Sequence, residues 1–371
     1  MMAAPSLSAR TLDLAIAIQQ IPAPTFAEQA RGQFAARLFE SEGLQDVTID
    51  ALGNVLARLP GTGNARPLVV SAHLDTVFPA DADLKVTLTP DRIRGPGIGD
   101  NALGVAGLLG VLWSLRLGGT VLPGDIWLVA NVGEEGLGNL CGMQAVVSRF
   151  GNAPRAYLVL EGLALGQVYH RALGSRRYRI SLKTAGGHSW VDYGQPSAVH
   201  ELSRLVTALA DLPLPQQPRT TLNVGVFQGG ISINTIASQA FIEVDLRSES
   251  TAALEDLERQ ALVLAAQLER PGVQFQVELV GQRLSGELPD QHPLVQLASQ
   301  CLKEQRIQPI LNIGSTDANV PLSQGLPAVC IGLSNGGLAN TLGEYVLTAP
   351  LAQGLAQARC LVEGAFTALP A

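Results

Sequence analysis

Residues 68–79 read LVVSAHLDTVFP. The run begins with the unbroken apolar and β-branched content of a strand buried on both faces. It stops at His73 and Asp75, two polar residues that the two-residue alternation of a strand points to one side. A buried strand ending in polar groups belongs at the carboxyl edge of an open α/β sheet, where such folds hold ligands. Two more stretches repeat the pattern: IWLVANV (126–132) runs into Glu134 and Glu135, and AYLVL (156–160) runs into Glu161. A further carboxylate, Asp100, sits in the glycine-rich GPGIGDNALGVAGLL at the start of an apolar helical pattern.

Working outward, strand-like runs at 54–59, 68–72, 126–132 and 156–160 alternate with helical patterns at 11–20, 26–41, 101–117 and 140–150. That alternation predicts an α/β domain with a sheet of mixed direction. The pattern changes at 174. It becomes strand SRRYRISLKT, helix 197–211, strands 221–227 and 236–247, helix 251–269 and strand 273–280, with LPLPQQP (212–218) as a connecting loop. This β-α-β-β-α-β order is that of a ferredoxin-like α+β unit. Helix 293–305, the strand-like PAVCIGL and helix 350–367 then return to the α/β style. The expected division is one domain of 1–172 with 284–371, and a second of 173–283 inserted into it.

A chain of 371 residues with 47% apolar content is long enough to bury a substantial core. Its net charge of −7 and lack of a Lys/Arg block give nucleic acid no electrostatic footprint. The N-terminal MMAAPSLSARTLDLAIAIQQ has no basic leader and reads as an amphipathic helix. The apolar uncharged run 101–115 is too short and glycine-rich to span a bilayer, so no membrane association and a cytoplasmic location are expected. Four cysteines, at 141, 301, 330 and 360, lie far apart without metal or redox spacing and read as reduced core residues.

Each candidate residue also has a plain structural reading. Asp100 alone is a helix N-cap, Glu134 and Glu135 a solvated loop pair, and His73 a hydrogen-bonded strand end. Together, several carboxylates and an imidazole on one sheet edge would repel each other unless cations lay between them. Oxygen and nitrogen donors without a thiolate suit zinc, manganese or cobalt.

These motifs closely resemble the cocatalytic zinc metallopeptidase family that includes carboxypeptidase G, peptidase T, aminoacylase and acetylornithine deacetylase. The matching stretches are SAHLDTVFP, GPGIGDNALGVAG, NVGEEGLG, VLEG, GGHS, GGISINTIASQAFIEVDLRS and GSTDANVPLSQGLPAVCIG. The resemblance implies a mixed-sheet catalytic domain with an inserted lid and dimerisation domain, one or two zinc ions per chain, and a homodimer. It implies that Asp100 bridges two metals, that His73 and Glu161 complete one site and that Glu135 serves the other. Glu134 would be the general base and Asp75 the carboxylate behind His73. His188 would stabilise an oxyanion from the lid, and Asn234 and Arg247 would hold a substrate carboxylate. For Arg247 the plain alternative is a surface strand residue in an ion pair. The implied activity is hydrolysis of the amide bond of a short peptide or N-acyl amino acid.

One position departs from the family pattern. Where relatives carry a metal-binding histidine, the segment GGLANTLGEYV has Asn340. A neutral amide oxygen is a weaker ligand for zinc-like ions than imidazole nitrogen, so the second metal site is expected to be weak. A relative that binds its ligand but has lost efficient catalysis is the competing expectation.

Overall fold

The computed structural model describes residues 6–369; the first five residues of the N-terminal stretch therefore lie outside the described residues. The chain divides into two compact units, one of the described residues up to Ala172 together with those from Gly286 onward, the other Leu173–Ser285.

The first unit is built on a mixed sheet. Its strand order is Gln45–Ile49, Val55–Leu59, Gly124–Asn131, Ala65–His73, Ala156–Glu161, Ala328–Gly332, Gln167–Ala172 and Gly286–Glu287, with Ile310–Gly314 also paired to Gln167–Ala172. The strands Gly124–Asn131, Ala65–His73, Ala156–Glu161 and Ala328–Gly332 are mutually parallel neighbours. Their carboxyl ends consequently emerge together, delivering Asn131, His73 and Glu161 to one edge. Strand Ala65–His73 is buried from Leu68 to its end, as a central parallel strand covered on both faces must be.

Helix Leu103–Leu117 packs against this sheet and against the helices Leu7–Gln19 and Leu351–Ala368. It is apolar around nearly its whole circumference because it is buried from Leu103 to Leu115. The stretch Ile98–Leu117 is long and apolar enough to cross a bilayer by composition, but it is 94% buried inside this unit and accounts for itself as a core helix.

The cysteine expectation needs correction. Cys301 and Cys360 are joined in a disulfide, on the packed helices Pro293–Glu304 and Leu351–Ala368, while Cys141 and Cys330 are free. Fifty-nine residues separate the bonded pair, and no sequence spacing signals a contact made only by tertiary helix packing.

The second unit has a four-stranded antiparallel sheet in the order Thr220–Gly229, Gln239–Ser248, Gly174–Lys183 and Phe275–Arg283. Helices Ala198–Ala210 and Thr251–Leu268 pack on it. Alternate residues of the central strand, Ala240, Ile242, Val244 and Leu246, face a core shared with Leu202, Leu205, Leu254 and Leu257. Gln239, Glu243, Asp245 and Arg247 stand at the alternate positions together with Phe241, so the sheet has one dry and one wetter face.

Candidate metal centre

His73 is the hub of the carboxyl edge. It is 1% exposed, and its Nε2 lies 3.1 Å from Asp100 Oδ1 and 3.8 Å from Glu161 Oε2. Its Nδ1 lies 3.1 Å from the backbone carbonyl of Asp75 and 3.4 Å from Asp75 Oδ1. One donor atom from each of His73, Asp100 and Glu161 falls within 4.8 Å of the others, and the same holds for His73, Glu134 and Glu135. Four carboxylates expected to bind metal or move protons at this edge, Asp100, Glu134, Glu135 and Glu161, are therefore gathered around the His73 imidazole.

The carboxylates are held by the backbone around them. Asp100 sits in a distorted turn, Ile98–Ala102, where it and Asn101 leave helical geometry. The Asn101 side chain donates to Leu160 O at 3.0 Å and accepts from Gly162 N–H at 2.9 Å, gripping the chain on both sides of Glu161. Asp75 is fully buried, and its two oxygens accept the N–H groups of Glu134 at 3.0 Å and Glu135 at 2.9 Å. Gly133 turns the chain with φ +65°, and a side chain there would run into Cys141 Sγ at 2.4 Å. Glycine is therefore required at the turn that presents Glu134.

The electrostatics fit a cation. Burial, then the charges of Asp100 and Glu134, push the Glu135 carboxyl up to about 9. Burial raises Glu161 to about 7, against the opposing pull of His73. His73 is moved the other way: burial disfavours its charge, but Asp100, Asp75 and Glu161 outweigh burial and hold it well above the usual imidazole range. Asp75 is buried as well, yet its bonds to His73 and to two backbone N–H groups keep it below the usual carboxylate range. A set of crowded oxygen donors that resist ionisation together is relieved by a divalent ion between them. One imidazole with carboxylates and no thiolate is a donor set for zinc or manganese.

Several residues of this centre were not singled out from sequence. Glu344 is fully buried and accepts N–H groups from Gly97, Gly99, Asp100 and Asn340; burial raises its carboxyl to about 7. Asp317, also fully buried, accepts from Asn131 Nδ2 at 2.7 Å, and burial followed by the charge of Glu134 raises it to about 8. Both acids lie within or beside quoted motifs, GSTDANV and GEYV, but nothing local to those motifs distinguishes a buried acid from an exposed one. Asn340 is exposed with φ +62°, and it is tied to the centre through its backbone N–H at 3.3 Å from Glu344 Oε2.

In the second unit, Gly187–His188 pairs with Thr235–Ile236, which sets His188 opposite Thr235. The Ser189 N–H donates to Asn234 O at 3.0 Å, so His188 and Asn234 lie together at one short, exposed strand pairing. His188 Nδ1 accepts from the N–H groups of Trp190 and Val191 at 3.2 and 3.4 Å. With Nδ1 acting as acceptor, the proton of the neutral ring resides on Nε2, which becomes an outward donor. Arg247 is not gathered with them. It lies eight residues along its strand from Gln239, about 26 Å at ~3.3 Å per residue, and its Nε donates to Asp245 at 2.6 Å.

A mixed-sheet α/β unit with a histidine–carboxylate cluster at the ends of its parallel strands defines a metallohydrolase-type scaffold. Residues 69–363 match the model of peptidase family M20/M25/M40, and the chain belongs to that family. It is thus a hydrolase of the metallopeptidase and amidohydrolase class. Among similar proteins, an M20 domain-containing protein of Schizosaccharomyces pombe is 29% identical over 208 residues, covering 55% of this chain and 50% of that one. The uncharacterized protein YqjE of Bacillus subtilis is 23% identical over 338 residues, covering 86% and 89%. The crystal structure of a tripeptidase from Staphylococcus aureus superposes with a TM-score of 0.79 at 20% identity, covering 97% of this chain and 98% of that one, a likeness of fold.

Proposed function

We propose that the chain hydrolyses the amide bond of a short peptide or N-acyl amino acid. The observation that carries this reading is the convergence of His73 with two carboxylate pairs, Asp100 with Glu161 and Glu134 with Glu135, each within 4.8 Å of its imidazole as a set of three. His73, Asp100 and Glu161 would hold one divalent ion, zinc foremost, and Asp100 with Glu135 a weaker second, to which Asn340 adds at most an amide oxygen. Bound there, such an ion lowers the pKa of a water toward neutrality and polarises the scissile carbonyl.

The rest of the work falls to side chains. Glu134 takes the water's proton and later delivers it to the leaving amine, the double role of a general base turned acid. Asp75 orients His73 through Nδ1, so that Nε2 faces the ligand cluster. Residues 173–283 act as a lid and dimerisation surface. His188 supplies its Nε2–H to the tetrahedral oxyanion, while Asn234 beside it binds the substrate's free carboxylate; Arg247, the other expected carboxylate ligand, lies too far along its strand to share that carboxylate within one chain. The tripeptidase likeness favours peptides among the candidate amides. A homodimer in the cytoplasm accords with this reading.

Metal analysis of the purified protein, followed by assay of dipeptides, tripeptides and N-acyl amino acids with and without zinc, manganese or cobalt, tests the proposal. Metal-stimulated release of a free amino acid is expected; inertness toward the whole panel with metal bound would favour the binding-only reading that Asn340 motivates.

A further inference from the structure

We propose that Glu28 is a positioning residue for the Glu134–Glu135 turn, and that residues 21–31, which precede the family-matched stretch, brace the metal-binding edge. The proposal rests on the hydrolase reading above for the roles of Glu134 and Glu135.

The brace begins at Arg31. It is 2% exposed, and its guanidinium donates through Nε and Nη2 to Ile21 O at 3.0 and 2.6 Å and through Nη1 to Leu74 O at 2.7 Å. A buried cation is retained only where something holds it; here the nearby charges of Asp75 and Glu28 oppose the effect of burial. Arg31 thus fastens the N-terminal segment to the residue that follows His73. Next along the chain, Ala23 O accepts the Thr76 N–H at 2.9 Å, and the Thr25 hydroxyl donates to Asp75 Oδ2 at 3.0 Å.

Glu28 completes the brace. Its Oε1 accepts the Phe26 N–H at 3.0 Å and, across 105 residues, the Gly133 N–H at 3.1 Å. Asp75 takes the next two N–H groups, those of Glu134 and Glu135. Three consecutive N–H groups of the turn are therefore held by two buried carboxylates. A carboxylate at the start of helix Gln29–Ser41 would sit well near the helix dipole in any case. That role needs no contact with Gly133, and the contact is what assigns Glu28 to the turn.

The test compares Glu28→Ala with Glu28→Gln in the full-length protein. Both bonds end on one oxygen, so glutamine's single amide oxygen preserves them while alanine removes them. Zinc is titrated calorimetrically into chelator-stripped protein, and kcat and KM are measured separately on the best amide substrate. Glu28→Ala should bind zinc about tenfold or more weakly and lose about ten- to a hundredfold in kcat with KM little changed. Glu28→Gln should restore most of both. Alanine values within about twofold of the parent, or a glutamine variant as impaired as alanine, overturn the proposal.

Should Glu28→Ala fail to fold, Thr25→Val removes only the hydroxyl on Asp75. A severalfold weaker zinc affinity supports the brace, and unchanged affinity overturns it. The calorimetric arm needs no substrate: a parent inert on every amide whose zinc affinity still falls in Glu28→Ala counts against the hydrolase reading and for the brace.

Discussion

Glu344 Oε1 accepts the backbone N–H of Asp100 at 2.8 Å from 244 residues away in the chain. The carboxylate proposed to bridge the metals is thus placed by another carboxylate, which holds its main chain. Glu344→Ala would leave the N–H groups of Gly97, Gly99, Asp100 and Asn340 without this acceptor. An unmet buried donor costs about 1–3 kcal/mol, so a melting temperature lower by roughly 5–10 °C and weaker zinc binding are expected. A melting curve and zinc affinity matching the parent's would refute this role.

Glu134→Gln should abolish turnover while zinc stays bound, because the amide keeps the shape but cannot take the water's proton. Single-turnover assays together with metal analysis check both halves. Near-parental turnover would remove Glu134 from the mechanism.

His188→Ala should lower kcat by roughly two to three decades, the usual loss for an oxyanion donor. The turn that carries the ring is closed by the Asp192 carboxylate, which accepts the backbone N–H of His188 at 2.7 Å. Asp192→Ala should therefore reproduce part of the loss without touching the imidazole. A parental rate in both variants would show that this strand pairing does not serve the reaction.

Asn340 occupies the left-handed region at φ +62°, where asparagine and histidine are among the better tolerated non-glycine residues. Asn340→His should fold and raise zinc stoichiometry toward two per chain, read by metal analysis after dialysis. Two tightly held ions in the unaltered protein would contradict the weak second site.

In chelator-stripped protein, Glu161 and Glu135 are raised to about 7 and about 9 from an ordinary value of 4.5. Between those limits the folded chain keeps protons that the unfolded chain releases, so stability falls as pH rises through the window. His73 acts with the same sign, since stability from its raised folded pKa is lost as pH rises. The melting temperature in chelator should be higher near pH 6 than near pH 9, and the reverse trend would show that these groups do not govern stability.

The centre was legible in sequence wherever a polar residue interrupts a buried apolar run. His73, Glu134, Glu135 and Glu161 all do so, because a parallel strand's carboxyl end is marked by the loss of apolar content. Glu28, Asp317 and Glu344 were not legible. Each lies in a polar or mixed stretch, and its burial is created by distant chain: Gly133 for Glu28, Asn131 for Asp317, and the Gly97–Asp100 turn for Glu344. The same reason hid the Cys301–Cys360 bond, which depends on two helices meeting. The ferredoxin-like strand order was readable from alternation, whereas the short strand Gly286–Glu287 is too brief to carry any periodic signal.

That short strand has a consequence for how the molecule can be rebuilt. Gly286 pairs with Ala172, antiparallel, as Glu287 does with Arg171. The chain thus leaves the first unit and re-enters it on adjacent antiparallel strands, the spacing that a two-residue hairpin turn spans. An Asn-Gly turn in place of residues 173–285 is therefore expected to join the two strands in their native register, and a cooperatively melting shortened chain would show that the first unit folds without them.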